Sequence, residues 1–201
     1  MSETPTAGGN RAVFVDRDGT LTVERGYITR PEDLELIAGA AEAVRALNDA
    51  GVPVVLVSNQ SGVARGLMTE EDMAKVHEAL ESLLSAEGAR LDAAYYCPNH
   101  PDVPDPRYSR DASCRKPELG MLRAAIRDLS PDVTACVMIG DQLTDIEFAN
   151  RAGMPGVLVS TGKGESALLA AEAAGVRVAA AVPDVKEAVK WFLAGRPGWA
   201  P

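Results

Sequence analysis

The sequence predicts an α/β fold, a mainly parallel sheet with helices on both faces. Short apolar runs alternate with longer amphipathic stretches along most of the chain. The core material is aliphatic, since 46% of residues are hydrophobic but only 4% aromatic. The length, 201 residues, fits one domain with a sizeable core. Strands that alternate with helices build βαβ units, and such units place parallel strands beneath helices on both sides.

The elements follow in order. Arg11–Asp16 (RAVFVD) is a short apolar strand ending in an acid. Ala40–Asp49 has helical character, with Gly51 as its stop. Val52–Ser58 (VPVVLVS) is a buried strand by its β-branched content. Glu70–Ala86 puts Met73, Val76, Leu80, Leu83 and Leu84 on one helical face, with Thr69 as N-cap and three acids suited to the positive end of the helix dipole. Leu91–Tyr96 is a third strand, Glu118–Leu129 a helix, Ala135–Ile139 a fourth strand and Thr144–Ala152 a helix. A strand at Val157–Val159, a helix at Ala167–Ala174, a strand at Val176–Ala179 and a helix at Val185–Leu193 complete the pattern. Residues 11–195 are expected to form the single domain, flanked by a disordered tail at 1–10 and a short tail at 196–201. Pro98–Ser113, rich in Pro and Asp, is too long and polar for a routine connection, and reads as a loop over a site or a structural insert.

The net charge is −9, from 20 basic and 29 acidic residues, which argues against a nucleic-acid partner. No run approaches the ~18 apolar residues of a membrane span, and no N-terminal apolar leader is visible. A cytoplasmic protein without a membrane partner is the expectation. Three cysteines, an odd count, argue against a secreted disulfide framework. Cys136 falls inside an apolar strand as inert core, and His77 shares a helical face with Met73 and reads as structural.

Parallel sheets bind ligands beyond the carboxyl ends of their strands. Strand one ends in Asp16-Arg17-Asp18-Gly19-Thr20, strand two in Ser58-Asn59-Gln60 and strand four in Gly140-Asp141. Residues at i and i+2 leaving a strand share a side, so Asp16 and Asp18 could share a hard divalent cation such as Mg²⁺. A carboxylate can also attack phosphorus, leaving the second for acid–base work. Alone, Asp-x-Asp-Gly also occurs in calcium loops and ordinary turns. Ser58, Asn59 and Gln60 could simply belong to a turn or cap, Lys116 to the solvated surface, and Asp145 to the first turn of a helix.

Taken together, Asp-x-Asp-Gly-Thr, strand-Ser-Asn, Arg115-Lys116-Pro117 and Gly140-Asp141-x-x-x-Asp145 resemble the haloacid dehalogenase-like superfamily of phosphohydrolases, over roughly Val13–Lys163. The resemblance implies a Rossmann-like core with almost no cap. It also implies Asp16 as nucleophile, Asp18 as general acid then base, and Ser58 and Lys116 on the phosphoryl oxygens. Mg²⁺ would be held by Asp16, Asp141 and the backbone carbonyl of Asp18. The segments RGYITRPEDLELIAGAAEAVRAL, SNQSGVARG, YYCPNHP, CRKPELGML and STGKG are similar to the D-glycero-D-manno-heptose 1,7-bisphosphate 7-phosphatase family, whose relatives include histidinol-phosphatases. By that similarity Glu24, Arg25, Gly26, Tyr27, Asn59, Gln60, Ser61, Arg115 and Gln142 fall at substrate-contacting positions. Arg65 and Arg115 suit a second phosphate as guanidinium forks. The implied partner is a small phosphosugar acted on by a monomer, and the alternatives are histidinol phosphate or another phosphomonoester.

This chain has Glu24-Arg25 where the heptose family commonly has Asp-His. Of the family's zinc-binding Cys-x-His and Cys-x-Cys pairs, Cys97 and Cys114 remain, while Asn99 and Ala112 occupy the other two places. Structural zinc takes about four N/S ligands, so the family's site is not expected unless His100 and an aspartate rebuild a shifted one, and the loop is otherwise expected to hold its shape by prolines and hydrogen bonds.

Overall fold

The computed structural model describes residues 10–196, 198 and 199. The expected tails at 1–10 and 196–201 therefore lie mostly outside it. Asn10 is described, and its carbonyl accepts from Asp132 N–H.

Six parallel strands form one sheet: β1 Val13–Val15, β2 Val54–Asn59, β3 Ala93–Cys97, β4 Val137–Gly140, β5 Gly156–Val159 and β6 Ala180–Val182. Their spatial order is β3-β2-β1-β4-β5-β6. The helices are α1 Ala40–Asp49, α2 Glu70–Ala86, α3 Pro106–Ser109, α4 Gly120–Leu129, α5 Leu143–Ala152, α6 Gly164–Ala174 and α7 Val185–Leu193. The α/β class, the parallel sheet and its Rossmann-like order agree with expectation. No helix among the described residues is long and apolar enough to cross a membrane.

Strand alternation sorts the core into two layers. Val13, Val15, Val54, Leu56, Val137, Ile139, Val157 and Val159 pack with α1, α7 and the buried face of α2. Phe14, Val55, Val57 and Met138 face the other way, with Met121, Leu122 and Ala125 of α4 and Phe148 of α5. The cap at Thr69 forms as a reciprocal pair with Asp72, satisfying two helix-terminal donors. Leu83 departs from the expected α2 face and is exposed. His77 accepts or donates across 2.9 Å to the Tyr96 hydroxyl, tying α2 to β3. Buried Cys136 takes the Ala12 N–H on its sulfur.

Two expectations are corrected. The last strand lies at Ala180–Val182, not Val176–Ala179. Gly175 ends α6 in the left-handed region, and the Val176 N–H then bonds back to Ala171 O. Val176 and Val178 pack against Ile146 and Leu158 instead of entering the ladder. The Pro/Asp-rich loop is held by more than prolines and hydrogen bonds. Cys97 at the end of β3 is disulfide-bonded to Cys114, 17 residues on. Their Cα atoms lie 5.4 Å apart. Folding of the loop back past α3 creates that proximity, which no spacing in the sequence announces.

Candidate active site

The chain reverses direction across the sheet between β1 and β4, leaving a crevice at their carboxyl ends. Asp16 and Asp141 leave the tips of those adjacent strands. Asp145 enters from the first turn of α5, where its carboxylate also accepts the Gln142 N–H. Ligand oxygens of the three lie within 4.8 Å of one another, and all three residues are buried. Lys116 Nζ bridges Asp16 Oδ1 at 2.8 Å and Asp145 Oδ1 at 2.6 Å, with its side chain 2% exposed. The Asn59 side chain holds the Lys116 backbone at both ends, accepting from its N–H and donating to its carbonyl.

The local sequence allows this crowding. Gly19 has φ +80°, and a Cβ there would sit 2.2 Å from Asp141 Oδ2. A Cβ at Gly140 would sit 2.2 Å from Asp145 Oδ2. The Thr161-Gly162-Lys163 turn after β5 completes the enclosure, with Thr161 Oγ1 donating to Gly19 O and Lys163 N–H to Asp141 Oδ2.

Three buried carboxylates against one ammonium leave an excess of negative charge. Burial, then Asp16 and Asp145, push Asp141 up to about 8. Burial likewise raises Asp145. For Lys116 burial opposes the charge, but Asp145 and Asp16 outweigh it and hold the ammonium above the usual lysine range. Asp141 Oδ1 is buried with no hydrogen-bond partner. An all-oxygen set with one orphaned lone pair and surplus negative charge fits a hard divalent cation.

A cleft of about 280 Å³ opens beside this cluster. Of the residues expected to bind substrate, Glu24, Gly26, Tyr27, Asn59, Gln60, Ser61, Arg65, Arg115 and Gln142 line it, together with Asp18. Arg25 does not, and its exposed guanidinium pairs with Glu35. Ser58 is buried and linked to the cleft through Gln60, whose Nε2 donates to Ser58 Oγ at 3.0 Å. The Asp18 side chain is turned to Arg17 and Gln60 and is not part of the carboxylate cluster.

Three further residues line the cleft that are not among the expected substrate contacts: His100, which the sequence offers only as a possible zinc ligand, Thr144 and Lys163. Lys163 lies four residues past the end of β5, within the STGKG segment of the family resemblance, the signal that could have found it. Its ammonium lies 3.3 Å from Glu24 Oε2. His100 is carried in by the Pro/Asp-rich loop. Asp102 N–H stands 3.2 Å from its Nδ1 and Arg65 Nη2 3.3 Å from its Nε2, two donors of which a neutral ring can accept only one. Arg115 Nη1 is buried without a partner. Burial first, then Arg65, lower the Arg115 pKa, and burial, Arg115 and Arg65 lower that of His100. Two guanidinium groups and an imidazole crowd together here, with the Asp102 carboxylate 3.9 Å from His100 Nδ1, and an anion in the cleft would relieve the surplus of donors.

Comparison with known proteins assigns the family. A model of haloacid dehalogenase-like hydrolases matches residues 13–89, and a HAD-hydrolase-like model matches residues 113–188. The D-glycero-beta-D-manno-heptose-1,7-bisphosphate 7-phosphatase of Photorhabdus laumondii is 46% identical over 156 residues, 77% of this chain and 83% of that protein. The chain is a phosphatase of the haloacid dehalogenase-like hydrolase family. A second member, the D-glycero-D-manno-heptose-1,7-bisphosphate 7-phosphatase of Thermosynechococcus vestitus, is 44% identical over 90% of this chain and 94% of its own length. Among solved structures, a D,D-heptose 1,7-bisphosphate phosphatase from B. bronchiseptica, complexed with magnesium and phosphate, superposes with a TM-score of 0.81 at 30% identity. That match covers 92% of this chain and 98% of the other.

Proposed function

We propose that this phosphatase removes the 7-phosphate of D-glycero-D-manno-heptose 1,7-bisphosphate in a magnesium-dependent reaction that passes through an aspartyl-phosphate on Asp16. The observation that carries the reading is a pairing of two poles. A buried carboxylate–lysine cluster suited to phosphoryl transfer adjoins a cleft where Arg65, His100 and Arg115 await a second anion. The Photorhabdus and Thermosynechococcus relatives are named for that substrate and reaction.

In the first step Asp16 attacks phosphorus in line while the bond to the sugar oxygen breaks, and Asp18 gives that oxygen a proton. In the second, Asp18 takes a proton from water as the water's oxygen attacks the phosphoryl-aspartate, releasing phosphate and restoring Asp16. Ser58 and Lys116 hold the equatorial oxygens, where charge gathers. Asp16, Asp141 and the Asp18 carbonyl would hold Mg²⁺, which when bound neutralises phosphoryl charge and lets an anionic nucleophile approach. The Asp145–Lys116 contact anchors the lysine so that its other face serves Asp16.

The decisive assay is Mg²⁺-dependent phosphate release from a panel containing both anomers of the heptose bisphosphate, other sugar phosphates and histidinol phosphate, with the cleaved position read by ³¹P NMR. Loss of the 7-phosphate with the highest kcat/KM supports the proposal. Faster turnover of histidinol phosphate, whose head group is cationic, would overturn it.

Arg115→Ala should raise KM for the bisphosphate by roughly 10–100-fold, the scale of one or two charge-assisted hydrogen bonds. KM for a heptose 7-monophosphate should change little, and an equal rise for both would remove Arg115 from the distal anion site. A pH dependence should accompany it. A phosphate beside His100 favours the protonated ring, which burial and the two arginines disfavour in the free protein. Binding then takes up a proton, so affinity for the bisphosphate should tighten as pH falls through the neutral range. Titration of His100→Asn in parallel isolates the ring's share from the phosphate's own protonation, and identical slopes for the two proteins would contradict it.

A further inference from the structure

The largest fully buried side chain among the described residues is charged: Arg17, between the two acids at the end of β1. A buried guanidinium is costly unless every strong partner is close. Its Nε donates to Asp18 Oδ1 at 3.0 Å and its Nη2 to Asp18 Oδ2 at 2.8 Å, a two-pronged fork on one carboxylate. The same Nη2 donates to Gln60 Oε1 at 3.0 Å.

That last contact settles the orientation of the Gln60 amide. With Oε1 toward Arg17, Nε2 faces Asp18 Oδ2 at 2.9 Å and Ser58 Oγ at 3.0 Å. A flipped amide would set its oxygen against the Asp18 carboxylate and its nitrogen against the guanidinium. Gln60 therefore donates one hydrogen to the acid and one to the serine. Because Ser58 Oγ accepts that hydrogen, its own hydrogen is left to donate elsewhere. Gln60 itself is only 5% exposed, so water competes little for these bonds.

We infer that Arg17 and Gln60 are positioning residues of the phosphoryl-transfer site: Arg17 acts through Asp18, and Gln60 through Asp18 and Ser58. The fork holds the acid–base carboxyl at the rim of the cleft, where the leaving oxygen must arrive. The amide aims the Ser58 hydroxyl at the phosphoryl group. This inference rests on Asp18 being the proton donor, the reading given above.

The test compares two leaving groups. A sugar phosphate expels an alkoxide and needs a placed proton, whereas p-nitrophenyl phosphate expels a stable phenolate and does not. Arg17→Met should lower kcat for the heptose bisphosphate by about 10²-fold and kcat for p-nitrophenyl phosphate less than about tenfold, within the range general acids supply. Gln60→Met should lower both, since Ser58 serves both substrates, with a further loss on the sugar. Should Arg17→Met fail to fold, Arg17→Lys and Gln60→Met carry the same comparison, with circular dichroism confirming their fold. Equal losses on the two substrates, as for a purely structural arginine, would overturn the inference. Asp18→Asn separates the two readings. If it shows no selective loss on the sugar, the proton-donor assignment fails. If it does and the Arg17 variants do not, only the inference about Arg17 fails.

Discussion

Asp16→Asn should abolish turnover, lowering kcat by at least about 10⁴-fold, because the amide can neither attack phosphorus nor carry the phosphoryl group. The fold should survive. Asp16 is one of three clustered buried carboxylates, two of which share the Lys116 ammonium, and its charge is among the causes that push Asp141 up to about 8. Removing one charge relieves that crowding, and Lys116 keeps Asp145 as its partner at 2.6 Å. The variant's thermal midpoint should therefore match or exceed the parent's. Mg²⁺-dependent phosphate release and thermal unfolding check the two halves, and activity retained at even a few per cent of the parent would refute the nucleophile assignment.

Lys116→Met should damage both function and stability. The ammonium is the cation that the structure places between Asp16 and Asp145. Without it, buried carboxylates face one another unpaired, a situation that typically costs about 3–5 kcal/mol. Phosphoryl oxygens also lose a preorganised charge, worth roughly 10³-fold in kcat. The loss of stability has a definite pH sign. Burial and like charge raise carboxylate pKa values, so the folded variant holds protons that the unfolded chain has released. Its stability should rise as pH falls from 8 toward 5, more steeply than in the parent, and Mg²⁺ should recover part of the deficit. Urea unfolding at the two pH values, with and without Mg²⁺, measures this. A variant as stable as the parent at pH 8 would show that Lys116 does not neutralise the cluster.

Much of the architecture was legible because it follows from local pattern. The helices at Ala40–Asp49, Glu70–Ala86 and Val185–Leu193 agree to the residue with expectation: Gly51 stops the first, and Thr69 and Asp184 cap the other two. The last strand was misplaced because Val176 and Val178 have strand-like composition, but Gly175 turns that segment into a helix terminus. Asp16, Ser58 and Asp141 came from a one-dimensional property, the first polar residue after an apolar run. Lys116 has no such position and was reached through the motif set. Asp145 read equally well as a helix-cap acid, and in the structure it serves as one while also binding Lys116.

By itself, then, the sequence determined the α/β class, the parallel sheet and the phosphohydrolase motifs, because strand and helix periodicity and strand-end position are properties of consecutive residues. Tertiary structure alone decided who touches whom. It turned Arg25 outward to Glu35, carried His100 into the cleft, joined Cys97 to Cys114 and buried Arg17 against Asp18 and Gln60. Each of those outcomes depends on where a loop returns or where an amide finds its partners. Such distances arise from the packing of segments remote in the chain, and residue order does not encode them locally.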